Sequence, residues 1–348
     1  MKSLSLISAT ILLAAAAIGY GAADTPLPRL AGTGQEVVTI DEKTEAVIRG
    51  ALRYLASRQN ANGSWHADGE RQELAMTGYV LMAFLAAGQL PDEGEFGRHV
   101  ASGVQFILNT VRPDGTMQPN ANYMYGHGIA TIALAEVYGQ TRDPRIRQKL
   151  EMVVRLIVQC QNHEGGWRYM PRAQDADISV TVLQVVALRA AKNAGLDVPQ
   201  ATIDRAVKYV RSCYDQRSGG FTYQPRNNQP GFARTAAAIY SLQVCGQYDD
   251  PRVKTGSEYL FKRRDDHQWF TYGNFYAAPA QYMIGGETWQ KWYTYMRDLL
   301  VPAAKREGEL VYWTPRWDGG RGVGTIFCTA VYTTILAMPY HYLPLYQR

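Results

Sequence analysis

A turn signal, in most copies a glycine ahead of a large apolar residue, returns about every fifty residues along this chain. Each copy lies between two apolar stretches of helical length. The copies read Asn62-Gly63-Ser64-Trp65, Asp114-Gly115-Thr116-Met117, Gly165-Gly166-Trp167, Gly219-Gly220-Phe221, His267-Gln268-Trp269-Phe270 and Leu310-Val311-Tyr312-Trp313. Taking Trp65, Met117, Trp167, Phe221, Trp269 and Trp313 as markers, the intervals are 52, 50, 54, 48 and 44 residues. That spacing suits one helical hairpin with its loops, so the chain reads as six repeats.

Each repeat opens on an amphipathic stretch: Glu45 to Arg58, Phe96 to Thr110, Ile146 to Cys160, Thr202 to Cys213, Val253 to Arg263 and Thr288 to Lys305. Apolar residues recur at three and four, as in Leu150, Val153, Val154 and Ile157, which predicts helices with one buried face. After each turn comes a stretch poorer in charge: Leu74 to Ala87, Gly128 to Tyr138, Ser179 to Ala194, Thr235 to Val244, Tyr276 to Ile284 and Thr325 to Ala337. A helix apolar nearly all round is buried on all sides. The expected fold is therefore all-α, a closed (α/α)6 toroid of six hairpins around a shared central cavity. An open solenoid is the alternative, but closure leaves no repeat end to cap.

The repeats run from residue 41 to residue 348 without a linker, as one domain. Ahead of them, Met1-Lys2, the apolar run Leu4 to Ile18 and the small residues Gly21-Ala22-Ala23 have the layout of a secretory signal. Residues 1–23 are thus expected to be removed, leaving an extension over 24–40 and an exported protein, periplasmic or extracellular, with no transmembrane anchor after removal. The net charge of +5 is scattered, which argues against nucleic acid. Cys160, Cys213, Cys245 and Cys328 form no Cys-x-x-Cys pair, and no other cluster has ligand spacing, so no metal and no cofactor is expected. Cys160 and Cys213 take matching places in neighbouring repeats, and two buried free thiols are favoured over a disulfide.

All loops from an outer to an inner helix lie on one face of such a ring, and the first turn of each inner helix rims the cavity there. That rim collects Arg71 and Glu73; Asn122, Tyr123, Tyr125 and His127; Arg168, Tyr169, Asp175 and Asp177; Tyr223, Arg226 and Arg234; Tyr272, Asn274 and Tyr276; Arg316, Asp318 and Arg321. A convergence of Tyr, Arg, Asp and His at one end marks a candidate site for a small hydrophobic or saccharide ligand.

The segments Gln59-Asn60-x-Asn62-Gly63-Ser64-Trp65 and Gln161-Asn162-x-Glu164-Gly165-Gly166-Trp167 resemble the Gln-Trp repeats of the squalene cyclase and protein prenyltransferase superfamily. The wording Tyr125-Gly126-His127-Gly128-Ile129-Ala130, Asp177-Ile178-Ser179-Val180-Thr181 and Tyr342-Leu343-Pro344-Leu345-Tyr346-Gln347 is similar to exported, single-toroid repeat proteins of bacteria within it. The resemblance implies a terpene-cyclase-like toroid. Protein prenyltransferase activity is rejected, because that group's zinc site needs an Asp-x-Cys and the chain has none. The cyclases protonate an alkene with the middle Asp of Asp-x-Asp-Asp-Thr. Asp175-Ala176-Asp177-Ile178-Ser179 opens the third inner helix here, so the resemblance puts Asp177 at the acid and Asp175 beside it, with Ile178 in place of the third carboxylate.

Each residue has a plainer reading. Asp175 and Asp177 suit a helix N-terminus as caps. His127 is either catalytic or packed and hydrogen-bonded. Arg234 either binds an anion or pairs with Asp177. Trp65, Trp167, Phe221 and Trp269 either pack between hairpins or line a ligand site. Three functions follow. The first is binding or isomerising a polyprenyl or terpenoid ligand, with Asp177 as acid and Tyr123, Trp167 and Tyr272 as walls. The second is a carbohydrate-active enzyme, a uronate lyase or hydrolase, with His127 or Tyr123 as base and Arg168 and Arg234 on the carboxylate. The third is a non-catalytic cell-envelope scaffold. Tyr125, Tyr169 and Tyr276 complete the expected ligand wall.

Overall fold

The computed structural model describes residues 38–67, 72–117, 123–225, 227, 229–318 and 324–346. These all fall within one compact unit, Gly32–Arg348. The expected signal segment, most of the 24–40 extension, and the rim residues Arg71, Asn122, Arg226 and Arg321 lie outside the described residues.

Twelve α-helices are present among the described residues: α1 Glu42–Ser57, α2 Glu73–Ala86, α3 Gly97–Thr110, α4 Tyr123–Thr141, α5 Pro144–Gln159, α6 Ile178–Asn193, α7 Gln200–Ser212, α8 Phe232–Val244, α9 Pro251–Lys262, α10 Phe270–Ile284, α11 Gly286–Ala303 and α12 Thr325–Ala337. The odd-numbered helices bury one stripe, as α5 does with Ile146, Leu150, Val153, Val154 and Ile157. The even-numbered ones are buried nearly all round; in α2 every residue from Leu74 to Ala86 is enclosed. Helix starts follow local chemistry. Asp143 and Asp250 cap α5 and α9 through the N–H of Arg145 and Arg252, each with a proline in the first turn.

The inner helices α2, α4, α6, α8, α10 and α12 pack side by side in chain order, and α12 packs back on α2. Outer helices lean on the inner helix before them, with α3 on α2, α5 on α4, α9 on α8, α11 on α10 and α1 on α12. The toroid is closed, as the repeat count implied.

The turn signal has a mechanical explanation. Gly165 adopts φ +94°, and a Cβ there would lie 2.4 Å from the Arg205 carbonyl oxygen on the next outer helix. Only glycine serves both a left-handed backbone and that approach. Gln161 Nε2 donates to the carbonyls of Gly165 and Thr202, both at 2.8 Å, tying turn to next repeat. Gln59 does the same with Gly63 and His99. Trp167 sends its indole N–H to Ile157 O (2.8 Å) and receives support at its backbone N–H from Thr181 Oγ1 (3.1 Å). Trp65 with Leu55 and Thr77, and Trp313 with Leu300 and Thr329, repeat the arrangement.

Three local expectations are corrected. Trp269 does not pack like the other markers; it is 40% exposed and holds a left-handed φ of 61° at the start of α10. The last outer helix stops at Ala303, because Lys305–Glu307 pairs antiparallel with Leu310–Tyr312 in a hairpin laid against α1. Helices α4 and α10 begin five and six residues before their expected starts. The glycines that suggested a later start to α4 serve close packing instead: a Cβ on Gly128 would meet Gln184 and Leu183 of α6 at 2.7 Å.

Candidate functional site

The turns do more than join helices. The first N–H groups of an inner helix have no partner within it, and here the following repeat supplies one. Met124 N–H donates to Tyr169 O (2.9 Å) and Ile178 N–H to Tyr223 O (3.0 Å). Each acceptor stands two residues after its marker, in Gly166-Trp167-Arg168-Tyr169 and Gly220-Phe221-Thr222-Tyr223. Two equivalent tyrosines are thereby fixed at the rim, their hydroxyls 3.3 Å apart. In repeat five a side chain from repeat six does the same, Asp318 accepting from Thr271 N–H (2.8 Å) and Thr271 Oγ1 (2.6 Å).

Around this pair stands a group of phenols. Tyr79 and Tyr125 share a 2.7 Å hydroxyl contact. Tyr272 donates to Ser179 O (3.1 Å), its ring 6.2 Å from Tyr125 and 5.0 Å, edge-on, from Tyr276. Tyr169 O–H lies 3.4 Å from Ser179 Oγ. Tyr125, Tyr169, Tyr223 and Tyr272 keep partial exposure, while Tyr79 and Tyr276 lie beneath them, buried. Burial raises the phenols of Tyr79, Tyr125, Tyr223, Tyr272 and Tyr276 far above their ordinary value. All are neutral hydroxyls, presenting π-faces and polar edges and no charge.

Beside them lies the only acidic pair of the third turn. Asp177 is wholly buried and caps α6: Oδ1 accepts from Val180 N–H (2.9 Å) and Ser179 Oγ (2.5 Å). Its Oδ2 faces Arg168 Nη1 at 3.5 Å, which lies equally 3.5 Å from the exposed Asp175. Burial pushes the Asp177 carboxyl above the usual range, against the pull of the Ser179 and Val180 bonds and of Arg168. Arg168 is wedged between phenols, 5.8 Å from the Tyr169 centroid and 5.7 Å from that of Tyr223. Arg234 does not pair with Asp177. It stacks on Tyr223 at 5.9 Å and donates to Gln229 O, because Arg168 already occupies the carboxylate's open side.

Other sequence candidates fall elsewhere. His127 is fully buried one turn inside α4, its Nε2–H donating to Gly115 O (3.1 Å), and burial lowers it to about 4. It is the packed, hydrogen-bonded histidine of the plainer reading. Tyr123 locks repeat two, its hydroxyl accepting from Met117 N–H (3.2 Å), and burial raises its phenol to about 12. Neither residue has the geometry or the proton affinity of an exposed general base. Trp167 lies behind the rim as the repeat's lock, 1% exposed. The structure thus gathers Tyr125, Arg168, Tyr169, Asp175, Asp177, Arg234, Tyr272 and Tyr276 and sets Tyr123, His127 and Trp167 apart. Tyr79, buried mid-helix in α2, was missed; its apolar neighbours hid it as core. Among the described residues no group of three or more His, Cys, Asp or Glu is placed to hold a metal, and no helix is long and apolar enough to cross a membrane.

Residues 53–274 match the prenyltransferase alpha-alpha toroid domain model. By sequence the chain is similar to drimenyl diphosphate synthase of Streptomyces showdoensis, 26% identical over 196 residues, covering 55% of this chain and 34% of that protein. A squalene–hopene cyclase of Bradyrhizobium diazoefficiens is 26% identical over 155 residues, 42% of this chain and 22% of that one. The chain thus spans about a third or less of these relatives' length. By fold it is similar to the α-1,6-mannanase of Salegentibacter sp. HEL1_6, with TM-score 0.65 and 8% identity over 86% of this chain and 100% of that one. A type II terpene cyclase of Scytonema, solved with geranylgeranyl dihydroxybenzoate, has TM-score 0.56 and 15% identity over 86% and 98%. At such identities the structural likenesses speak to fold alone. The match over more than half its length places this chain in the prenyltransferase alpha-alpha toroid family.

Proposed function

We propose that this is an exported, terpene-cyclase-like repeat protein that holds a polyprenyl or terpenoid chain at the phenol-lined mouth of its ring. The observation that carries the reading is the convergence of Tyr79, Tyr125, Tyr169, Tyr223, Tyr272 and Tyr276 from neighbouring repeats. Aromatic faces suit an apolar, alkene-rich chain, and their hydroxyls suit a polar head. The sequence likeness to drimenyl diphosphate synthase and a squalene–hopene cyclase supports the same ligand class.

Holding is favoured over protonation. An alkene-protonating acid must present a bare O–H to its substrate, whereas Asp177 spends Oδ1 on a helix cap and turns Oδ2 to Arg168. With one oxygen engaged in the helix cap and the other turned to a guanidinium, no O–H is left facing a ligand. A saccharide reading draws support from the hydroxyl-rich mouth and from Arg168, Arg234 and Asp175 beside it.

Calorimetric titration of the purified protein with geranylgeraniol and, separately, with manno- and galacturono-oligosaccharides separates these readings. Saturable binding of the prenyl alcohol, weakened roughly tenfold or more by Tyr272→Ala, is expected, about 1.4 kcal/mol for one lost aromatic wall. Binding of an oligosaccharide alone would transfer the site to carbohydrate, and binding of neither would leave a scaffold. Product formation that disappears in Asp177→Asn would restore the acid role.

A further inference from the structure

At the end opposite the phenols, the inner helices finish around chain that follows α12. Ala86 at the end of α2, Tyr282 near the end of α10 and Met338 line a recess with His341, Tyr342, Leu343 and Tyr346. The second of two 3-10 turns after α12, Pro344–Tyr346, packs against α4, α6 and α10, with Leu345 and Tyr346 buried. The base of the ring is therefore closed by a tail and not by a helix.

This tail meets an ionisable group. Glu136, in the last third of α4 and 2% exposed, accepts from Leu345 N–H through Oε2 at 3.4 Å, long for an amide donor to a carboxylate. Its charge adds to the burial that raises the phenols of Tyr240 on α8 and Tyr346 on the tail, and at Tyr240 the charge of Arg189 on α6 pulls the other way. A buried carboxylate held by one long bond would be costly, whereas a carboxylic acid there is not.

We infer that residues 343–346 form a releasable gate over the base of the ring, latched by the protonated side chain of Glu136 and opened when that side chain ionises. Burial raises the docked Glu136 to about 8, while a hydrated glutamate titrates near about 4.3. The docked state binds the proton more tightly. The latch is therefore complete below the hydrated value and is lost progressively as pH rises to about 8.

Hydrogen exchange of residues 343–346, followed by mass spectrometry on the full chain, tests the gate. Wild type and Glu136→Gln are compared from about pH 5 to about pH 8.5, so that intrinsic exchange cancels at each pH. Glutamine keeps the acceptor and cannot ionise. Tail protection in wild type should fall by at least about tenfold relative to the variant across that range. Equal pH dependence in both proteins would overturn the latch. Carboxyl 13C NMR of the unmodified protein gives a second reading: the Glu136 midpoint should coincide with loss of tail protection. Titration of Glu136 among the exposed glutamates, with the tail protected throughout, would overturn it as well.

Discussion

Replacing Asp177 in two ways separates its backbone duty from its charge. Asparagine caps a helix as well as aspartate does, so Asp177→Asn keeps an oxygen for Val180 N–H and Ser179 Oγ. It also removes a charge that the site disfavours, since burial outweighs the bonds and the Arg168 attraction and raises the carboxyl. Arg168 retains Asp175 at 3.5 Å. Stability at neutral pH should thus be unchanged or slightly higher. Asp177→Ala loses the cap and leaves Val180 N–H buried without a partner, about 1–2 kcal/mol. For a ring of about 300 residues, unfolding entropy of about 2.1 cal/mol/K per residue makes this a Tm drop of roughly 2–3 °C.

Urea unfolding followed by circular dichroism resolves the two variants, and pH supplies the sign. With its pKa raised in the fold, Asp177 contributes stability that is complete below its ordinary value and declines as pH rises through the folded one. The advantage of Asp177→Asn over wild type should therefore vanish in acid and grow toward neutrality. If Asp177→Asn falls as far as Asp177→Ala at neutral pH, or its advantage shrinks with rising pH, the Arg168 pairing outweighs burial and the reasoning fails.

Gly165→Ala places a Cβ against Arg205 O in a left-handed backbone, and the urea midpoint should report a loss of roughly 2–4 kcal/mol. Gly246→Ala, at φ +79° with nothing within 4 Å, should cost only the conformational share, about 1–2 kcal/mol. Trp167→Phe removes the indole donor from Ile157 O, which keeps the N–H of Cys160, a loss of about 1 kcal/mol in the same assay. His127, lowered to about 4, contributes stability that is complete above about pH 6.5 and is lost as pH falls toward 4, at most about 3 kcal/mol; His127→Gln should flatten that part of the pH–stability curve.

The ring was legible because its two signals are local. A left-handed turn pressed against the next helix's backbone selects glycine, and burial on one face or on all faces leaves different apolar patterns, so hairpins and layers follow from spacing. The site was legible only in part, because its pairings join different repeats. Nothing in the spacing of Arg168 and Arg234 says which guanidinium reaches Asp177; the wedge between Tyr169 and Tyr223 decides it. His127 and Asp177 stand at matching places in their helices, four residues before Thr131 and Thr181. One nevertheless turns to its own loop carbonyl and the other caps its helix. The tail's place at the base was invisible for the same reason: Leu345 meets Glu136 across 209 positions.

The caps that one repeat lends to the one before it give the ring a direction. Tyr169 serves α4, Tyr223 serves α6 and Asp318 serves α10, so a lesion in a loop should surface as fraying upstream of its own hairpin. A row of open repeats could lose its last member and persist. Where a helix takes its cap this way, deleting the hairpin that supplies it leaves that helix without its partner, so these joints tolerate editing of the loops better than loss of a repeat.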